Sequence, residues 1–168
     1  MAIIDLTFDQ KRKLYSLPVL LSNKSMHGSA NAFGKSTDSA WYYTIMYLDT
    51  GSNLTSITEN EVDKLNLDRS TFQTQKVGGI GGFIDLLTTT EVGIKLMSNG
   101  NSMLDVKLDI IGVHENQIKK KIRKKTGAYV QRGNEVMEMI CLFGLDALEK
   151  LGGKLEIDMK NKSGKIII

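Results

Sequence analysis

The sequence predicts a mostly β domain with one or two short helices. Apolar residues come in short runs rich in β-branched and aromatic side chains, the clearest being Trp41–Leu48, Trp-Tyr-Tyr-Thr-Ile-Met-Tyr-Leu. Glycine- and asparagine-rich signals separate these runs, and helical spacing is confined to brief stretches. The 168 residues, 41% hydrophobic and 24% charged, suit one globular domain spanning 1–168 with a sizeable core.

Taken in order, Ile3–Phe8 alternates partly and reads as a terminal strand. Leu14–Leu21 is a second strand around the only proline, Pro18, which points to an edge or a strand start. Residues 22–40 are small or polar and read as a long loop. After the strand Trp41–Leu48, Thr58–Leu67 patterns as a short helix with Thr58 as cap, Glu61 at the capping-box position, and Val62 and Leu65 on one face. Phe83–Met97 reads as strand, Asn99-Gly100 as a hairpin turn and Leu104–Val113 as the partner strand. Asn116–Lys125 reads as a surface helix because Ile118 and Ile122 are four apart. Met139–Phe143 returns to strand. Asp146–Leu151 is a short helix closed by Gly152-Gly153, and Leu155–Met159 with Lys165–Ile168 makes a last hairpin. Both chain ends are β-prone and would leave apolar edges unless another strand covers them.

No apolar run approaches the ~18 residues that cross a bilayer. The N-terminus lacks the basic segment of a secretory signal. These features lead us to expect a non-membrane chain in a reducing, intracellular compartment such as the cytoplasm. The lone Cys141 reads as a small buried hydrophobe, since neither His27 nor His114 lies near it in sequence. Two histidines and one cysteine make a poor zinc set, so no metal and no cofactor are expected. The net charge of +3 is uneven. Residues 115–125 hold six basic groups and one acid, and the rest of the chain sums to −2.

Three segments carry chemistry. Asp49-Thr50-Gly51-Ser52 follows the strongest strand directly, and a carboxylate at a strand end can project into a cleft from a fixed backbone. Alone, the tetrapeptide also fits an ordinary turn. Val77-Gly78-Gly79-Ile80-Gly81-Gly82-Phe83 has four glycines around one apolar residue, the composition of a pliant hairpin tip able to close over an apolar ligand. No Lys-Ser or Lys-Thr follows it, which argues against a phosphate loop. In Cys141-Leu142-Phe143-Gly144-Leu145-Asp146-Ala147-Leu148, two apolar residues and a glycine precede a short helix, so a strand can pass tightly behind the Asp49 turn. Asp146 reads as a partner for backbone or for Thr55 and Ser56.

Together and in this order, these segments resemble the retropepsin family of aspartic proteases. The glycine string resembles the flap of the retroviral members. Leu142–Leu148 followed by Leu155–Met159 is similar to the protease domain of the DNA-damage-inducible proteins. Leu48–Leu67 resembles proteases of long-terminal-repeat retrotransposons. The likeness covers about Leu14–Leu21 and Trp41–Ile168, with the 22–40 loop and a basic insertion at 114–138 as departures. It implies a retropepsin-type acid-protease barrel, active as a homodimer on a polypeptide substrate. Because both chain ends are β-prone, Ile3–Phe8 and Lys165–Ile168 are expected to take part in the dimer sheet. In that family pattern Asp49, Thr50 and Gly51 are catalytic. Ser52, Leu54, Ile57, Ile84 and Phe143 bind substrate, together with the flap residues Gly78, Gly79, Ile80, Gly81 and Gly82. The residues agree on stoichiometry. Aspartic proteolysis needs two carboxylates and no second Asp-Thr/Ser-Gly occurs, so the partner comes from another copy. A second reading is an inactive retropepsin-like dimeric binding or assembly module contacting nucleic acid through Lys119–Lys125. The intact motif and full glycine flap argue for activity. A solvated helix face is the favoured reading of the basic run, because no aromatics interleave it.

Overall fold

The computed structural model describes residues 1–26, 41–79, 82–123 and 129–168. The strands and α-helices follow as β1 (Ile3–Asp9), β2 (Leu14–Asn23), β3 (Tyr42–Leu48), β4 (Ser56–Thr58), α1 (Glu59–Lys64), β5 (Gln73–Gly79), β6 (Gly82–Thr89), β7 (Val92–Met97), β8 (Met103–Val106), β9 (Ile111–His114), β10 (Gln117–Arg123), β11 (Tyr129–Glu138), β12 (Leu142–Phe143), α2 (Leu145–Leu151), β13 (Lys154–Asp158) and β14 (Ser163–Ile167). Twelve strands form one open mixed sheet that runs β13-β14-β1-β2-β3-β12-β4-β9-β6-β5, with β7 and β8 branching from β2. β10 and β11 make a separate two-stranded sheet.

The register of β2 explains its proline. β2 pairs with β1 through Leu14–Ser16 and with β7 from Leu20 onward, while β3 lines its other side. Pro18 sits opposite Ile45 of β3, in the gap where β1 has ended and β7 has not begun. The missing N–H falls at a local edge inside an interior strand. Leu17, Leu21, Met46, Ile57, Leu96 and Phe143 form the centre of the core, fully buried. Each such side chain contributes about 1.5–3 kcal/mol when removed from water.

The two short helices have their expected stops. The Thr58 N–H and hydroxyl both donate to Glu61 Oε2 at the start of α1, which satisfies a carboxylate that is otherwise buried. Gly152 closes α2 in the left-handed region at φ 64°, with its N–H donating to the Leu148 and Glu149 carbonyls.

Several expectations need correction. Phe83–Met97 is two strands, broken at Thr90–Glu91, and Leu104–Val113 is likewise β8 and β9. In the hairpin after β7 the left-handed residue is Asn101, whose N–H donates to the Ser98 carbonyl. Of the expected 22–40 loop, Ser22 and Asn23 end β2 and Lys24–Met26 form a 3-10 turn. Residues 27–40, with His27, lie outside the described residues. The terminal strands leave no bare apolar edges. β1 pairs with β14 from Ile3↔Ile167 to Thr7↔Ser163 and then with β2, and β14 is covered on its other side by β13. The outer edge is β13, where Glu156 pairs with Lys154 and Lys165, a charged edge of the kind that resists further strand pairing.

The largest correction concerns 114–138. Asn116–Lys125 is not a helix. Gln117–Arg123 is β10, antiparallel to β11, with the register shifting between Lys119 and Lys121. Lys124 and Lys125 lie outside the described residues. A spacing of four is even, so Ile118 and Ile122 share a face in a strand as readily as in a helix. The hairpin meets the body at its stem, where Met139 N–H donates to the Asn116 carbonyl, Asn60 N–H donates to Asn116 Oδ1, and Arg12 pairs with Glu138 at 3.3 Å. Because no ladder among the described residues joins it to the main sheet, replacing residues 118–137 by a short Gly-Ser linker is expected to change unfolding free energy by under about 1 kcal/mol, the scale of one surface ion pair. Urea unfolding measures this, and loss of a cooperative transition would show that the hairpin is part of the core.

Candidate active site

Asp49 directly follows β3, at the start of a tight turn. Its N–H donates to the Phe143 carbonyl at 3.1 Å, and its carbonyl accepts the Ser52 N–H at 3.1 Å. Its own Oδ1 accepts the Gly51 N–H at 3.0 Å, the local carboxylate–backbone bond that suits Asp to turns. Ser52 Oγ donates to the Leu54 carbonyl at 2.8 Å, and the Ser52 carbonyl accepts the Leu145 N–H at 2.8 Å. The half-buried carboxylate therefore stands on a backbone with few ways to move. Thr50 and Gly51 are exposed at the tip.

The turn is held from behind by β12. This strand lies between β3 and β4, parallel to the first through Leu142↔Tyr47 and Phe143↔Leu48, and antiparallel to the second through Leu142↔Ser56. The turn from β3 to β4 thus arches over a strand from the far C-terminal part of the chain. Gly144 makes that approach possible. A Cβ there would stand 2.8 Å from the Leu54 carbonyl carbon and 2.9 Å from both Thr55 N and Asp146 Oδ1. Its φ of −86° suits any residue, so closeness is the reason for glycine. Asp146 Oδ1 accepts the Thr55 N–H at 2.9 Å, the Thr55 hydroxyl at 2.6 Å and the Ala147 N–H at 2.8 Å. Thr55 Oγ1 in turn accepts the Gly144 N–H at 3.0 Å. Of the partners expected for Asp146, backbone and Thr55 are present. The Ser56 hydroxyl instead lies 3.1 Å from His114 Nε2.

The glycine-rich segment forms an arm. β5 and β6 pair from Gln73↔Thr88 to Gly79↔Gly82, and among the described residues β6 joins the rest of the sheet through Leu87–Thr89 against β9. Beyond Leu86 the ribbon pairs with no third strand among the described residues. Gly78, Gly79 and Gly82 belong to its outer end, while Ile80 and Gly81 lie outside the described residues. Ile84 is 61% exposed. The arm's base is fixed near the turn through Gly112, where a Cβ would stand 2.8 Å from Leu86 Cδ2 and 3.1 Å from Leu54 Cδ2. Leu86 and Gly112 did not stand out in the sequence. Their signal is weak: one apolar residue within an apolar run, and an isolated glycine within a strand pattern. Leu54 is half-buried. Ile57 and Phe143 have no exposed surface within one chain.

Burial pushes the Cys141 thiol well above its ordinary pKa, with the nearby Glu61 carboxylate adding to the effect. Such a thiol stays protonated and unreactive. Among the described residues no cluster of three or more His, Cys, Asp or Glu is placed to hold a metal, and no helix is long and apolar enough to cross a membrane. The models of known protein families include none that matches this chain, and a search of curated proteins returns no match.

The clamp behind Asp49 is open to test. Gly144→Ala is expected to cost about 1–3 kcal/mol, because its methyl meets backbone that cannot give way. Asp146→Ala is expected to cost about 2–3 kcal/mol by stranding the buried Thr55 donors. Denaturant unfolding measures both, and wild-type midpoints would show that the turn does not depend on this contact.

His114 gives a pH signature. Its imidazole is held below the ordinary 6.5, mainly by burial, with the Glu115 carbonyl and the Glu61 charge opposing. Below about pH 6.5 the unfolded chain therefore binds more protons than the folded one. Stability is full above that pH and falls as pH drops beneath it. Asp9, Asp68, Glu156 and Asp158 have lowered pKa values, so their contribution is lost only at more acid pH. Between pH 7.5 and 5, urea midpoints of the wild type are expected to fall more than those of His114→Gln. Equal losses would remove His114 from this role.

Proposed function

We propose that the chain is one subunit of an aspartic endopeptidase in which two copies of Asp49, one per protomer, share a single site. The observation that carries this reading is the fixed turn. Asp49, half-buried, has one oxygen accepting the Gly51 N–H, lies beside the exposed tip at Thr50 and Gly51, and stands on a loop clamped by β12, Gly144 and Asp146. The arm of β5 and β6, tied to Leu54 through Gly112 and Leu86, supports the further assignment of a flap. The retropepsin-type barrel, the twofold assembly and the pocket roles of Leu54 and Ile84 belong to the same reading. The only other carboxylate in the segments that build the turn is that of Asp146, which already accepts three hydrogen bonds, so a second working carboxylate comes from a second copy.

Two carboxylates about 3 Å apart repel by about 5 kcal/mol at an effective dielectric of ~20. The pair therefore holds one proton across a wide pH range, as carboxylate pairs in such sites do, and its two pKa values belong to the pair. The ionised Asp49 takes a proton from a bound water as that water attacks the peptide carbonyl carbon. The protonated Asp49 of the other copy gives its proton to the carbonyl oxygen. Collapse of the tetrahedral adduct breaks the C–N bond, and a carboxyl proton passes to the departing nitrogen. A polypeptide in extended form lies beneath the arm.

Asp49→Asn keeps the side chain's shape but cannot ionise. It is expected to lower cleavage of an unstructured protein at least 100-fold with unchanged thermal stability, and pepstatin-type inhibitors are expected to block the wild type. Residual activity above one-hundredth, insensitive to such inhibitors, would remove Asp49 from the chemistry. No cleavage by the wild type at any pH from about 4 to 7 would favour the binding-module reading.

A further inference from the structure

We propose that the cavity at the root of the β10–β11 hairpin is a binding site for an alkylammonium group, whose charged head rests against Glu61. The cavity measures about 380 Å³, within the size range of small-molecule sites. Four parts of the chain wall it: β3, the corner from β4 into α1, the hairpin stem at Asn116, Gln117 and Glu138, and the 139–141 segment that leads into β12. It shares no residue with the Asp49 turn, so it stands apart from the protease reading.

The first ground is charge. Of the residues lining the cavity, Glu61 and Glu138 are carboxylates and none is Lys, Arg or His, which sets anionic ligands aside. Glu138 has a partner in Arg12 at 3.3 Å. Glu61 is only 5% exposed, and among the described residues no Lys or Arg forms an ion pair with it. Lys64, one turn along α1, donates instead to the Tyr42 hydroxyl at 2.6 Å. The donors that face Glu61 are neutral: the Thr58 N–H and hydroxyl, the Asn60 amide and the Cys141 thiol. A buried carboxylate met by neutral donors gains most from a ligand that brings a full positive charge to it.

The second ground is the shape of what is left at Glu61. Thr58 engages Oε2 twice, whereas Oε1 accepts the Asn60 amide at a long 3.4 Å. One open oxygen suits the point charge of an ammonium and not the two-oxygen fork of a guanidinium. The Thr44 hydroxyl and the Gln117 amide line the same cavity and supply acceptors for the other ammonium protons. Ile45, Met139 and Ile140 add an apolar wall along which a short hydrocarbon stem lies. A metal ion fits less well, since among the described residues no three His, Cys, Asp or Glu are grouped to hold one.

The test uses the full-length wild-type chain at about pH 7.5, where an alkylamine carries its charge. Titration with n-butylammonium, followed by amide NMR, is expected to saturate with a Kd of about 1 mM or tighter. The largest shifts should fall at residues 58–62 and 139–141. Butanol and butyrate, which keep the stem and lack the cation, should bind about tenfold more weakly or worse. Glu61→Gln should weaken butylammonium by about tenfold or more. Because Glu61 also caps α1, Ile45→Trp is the second variant. Its side chain enters the cavity from β3, at a position 38% exposed, and should abolish the shifts without touching α1. Glu156→Gln, at the outer edge of β13, should change nothing. A capped Gly-Lys-Gly peptide that binds at least as tightly as butylammonium assigns the ammonium to a lysine of a polypeptide, and weaker binding of that peptide assigns it to a free amine. No saturable shifts, shifts centred elsewhere, equally tight binding of butanol or butyrate, or binding unchanged by both Glu61→Gln and Ile45→Trp would overturn the proposal.

Discussion

The turn at 49–55 keeps its shape because β12 lies between the two strands which that turn connects, and this contact exists only because residue 144 has no side chain. With Gly144 pressed against Leu54 and Thr55, the Phe143 carbonyl can take the Asp49 N–H, the Leu145 N–H can reach Ser52, and Asp146 can collect both donors of Thr55. Five consecutive residues, 142–146, thus fix the start, middle and end of the turn. A packed core resists small displacements more than a surface loop does, and Phe143, fully buried beneath the turn, anchors this segment in the core.

That rigidity contrasts with the elements around it. Among the described residues, the outer arm of β5 and β6 pairs with no third strand past Leu86, and the β10–β11 hairpin pairs with no strand of the main sheet. Chemistry that needs a carboxylate held in place, a pliant cover over it and a second subunit opposite is served by such a division. Precise geometry resides in the clamped turn, and the protease proposal assigns adaptability to the arm. This is why the protease proposal places catalysis at Asp49 and substrate closure at the arm.

Much of this was legible in the sequence, for identifiable reasons. Tyr42–Leu48 is mostly aromatic and β-branched, and each helix carries a terminal signal, Thr58 with Glu61 at the start of α1 and Gly152 at the end of α2. Asp49 drew attention because Asp-Thr-Gly directly follows that strand. The errors arose where a pattern fits two periods or where a partner is remote. Ile118 and Ile122 satisfy a helix and a strand equally, and only pairing with Tyr129–Glu138 decides between them. The break at Thr90–Glu91 was hidden because a β-prone run of three threonines leads into it, and the break between Val106 and Ile111 because Leu108 and Ile110 continue the alternation. Ile57 and Phe143 are apolar residues near the turn, and sequence cannot say whether such residues line a cleft or floor it. Which strands cover the two chain ends was also not legible, since their pairing is a tertiary fact.

The central claim is that two Asp49 carboxylates from different chains act as one group. Mixing wild-type protein with Asp49→Asn, allowing subunits to exchange, and measuring peptide cleavage at constant total concentration addresses it directly. If both carboxylates are needed, only dimers with two wild-type chains cleave, and activity falls as the square of the wild-type fraction. A linear fall, with each wild-type chain cleaving regardless of its neighbour, would contradict the shared site.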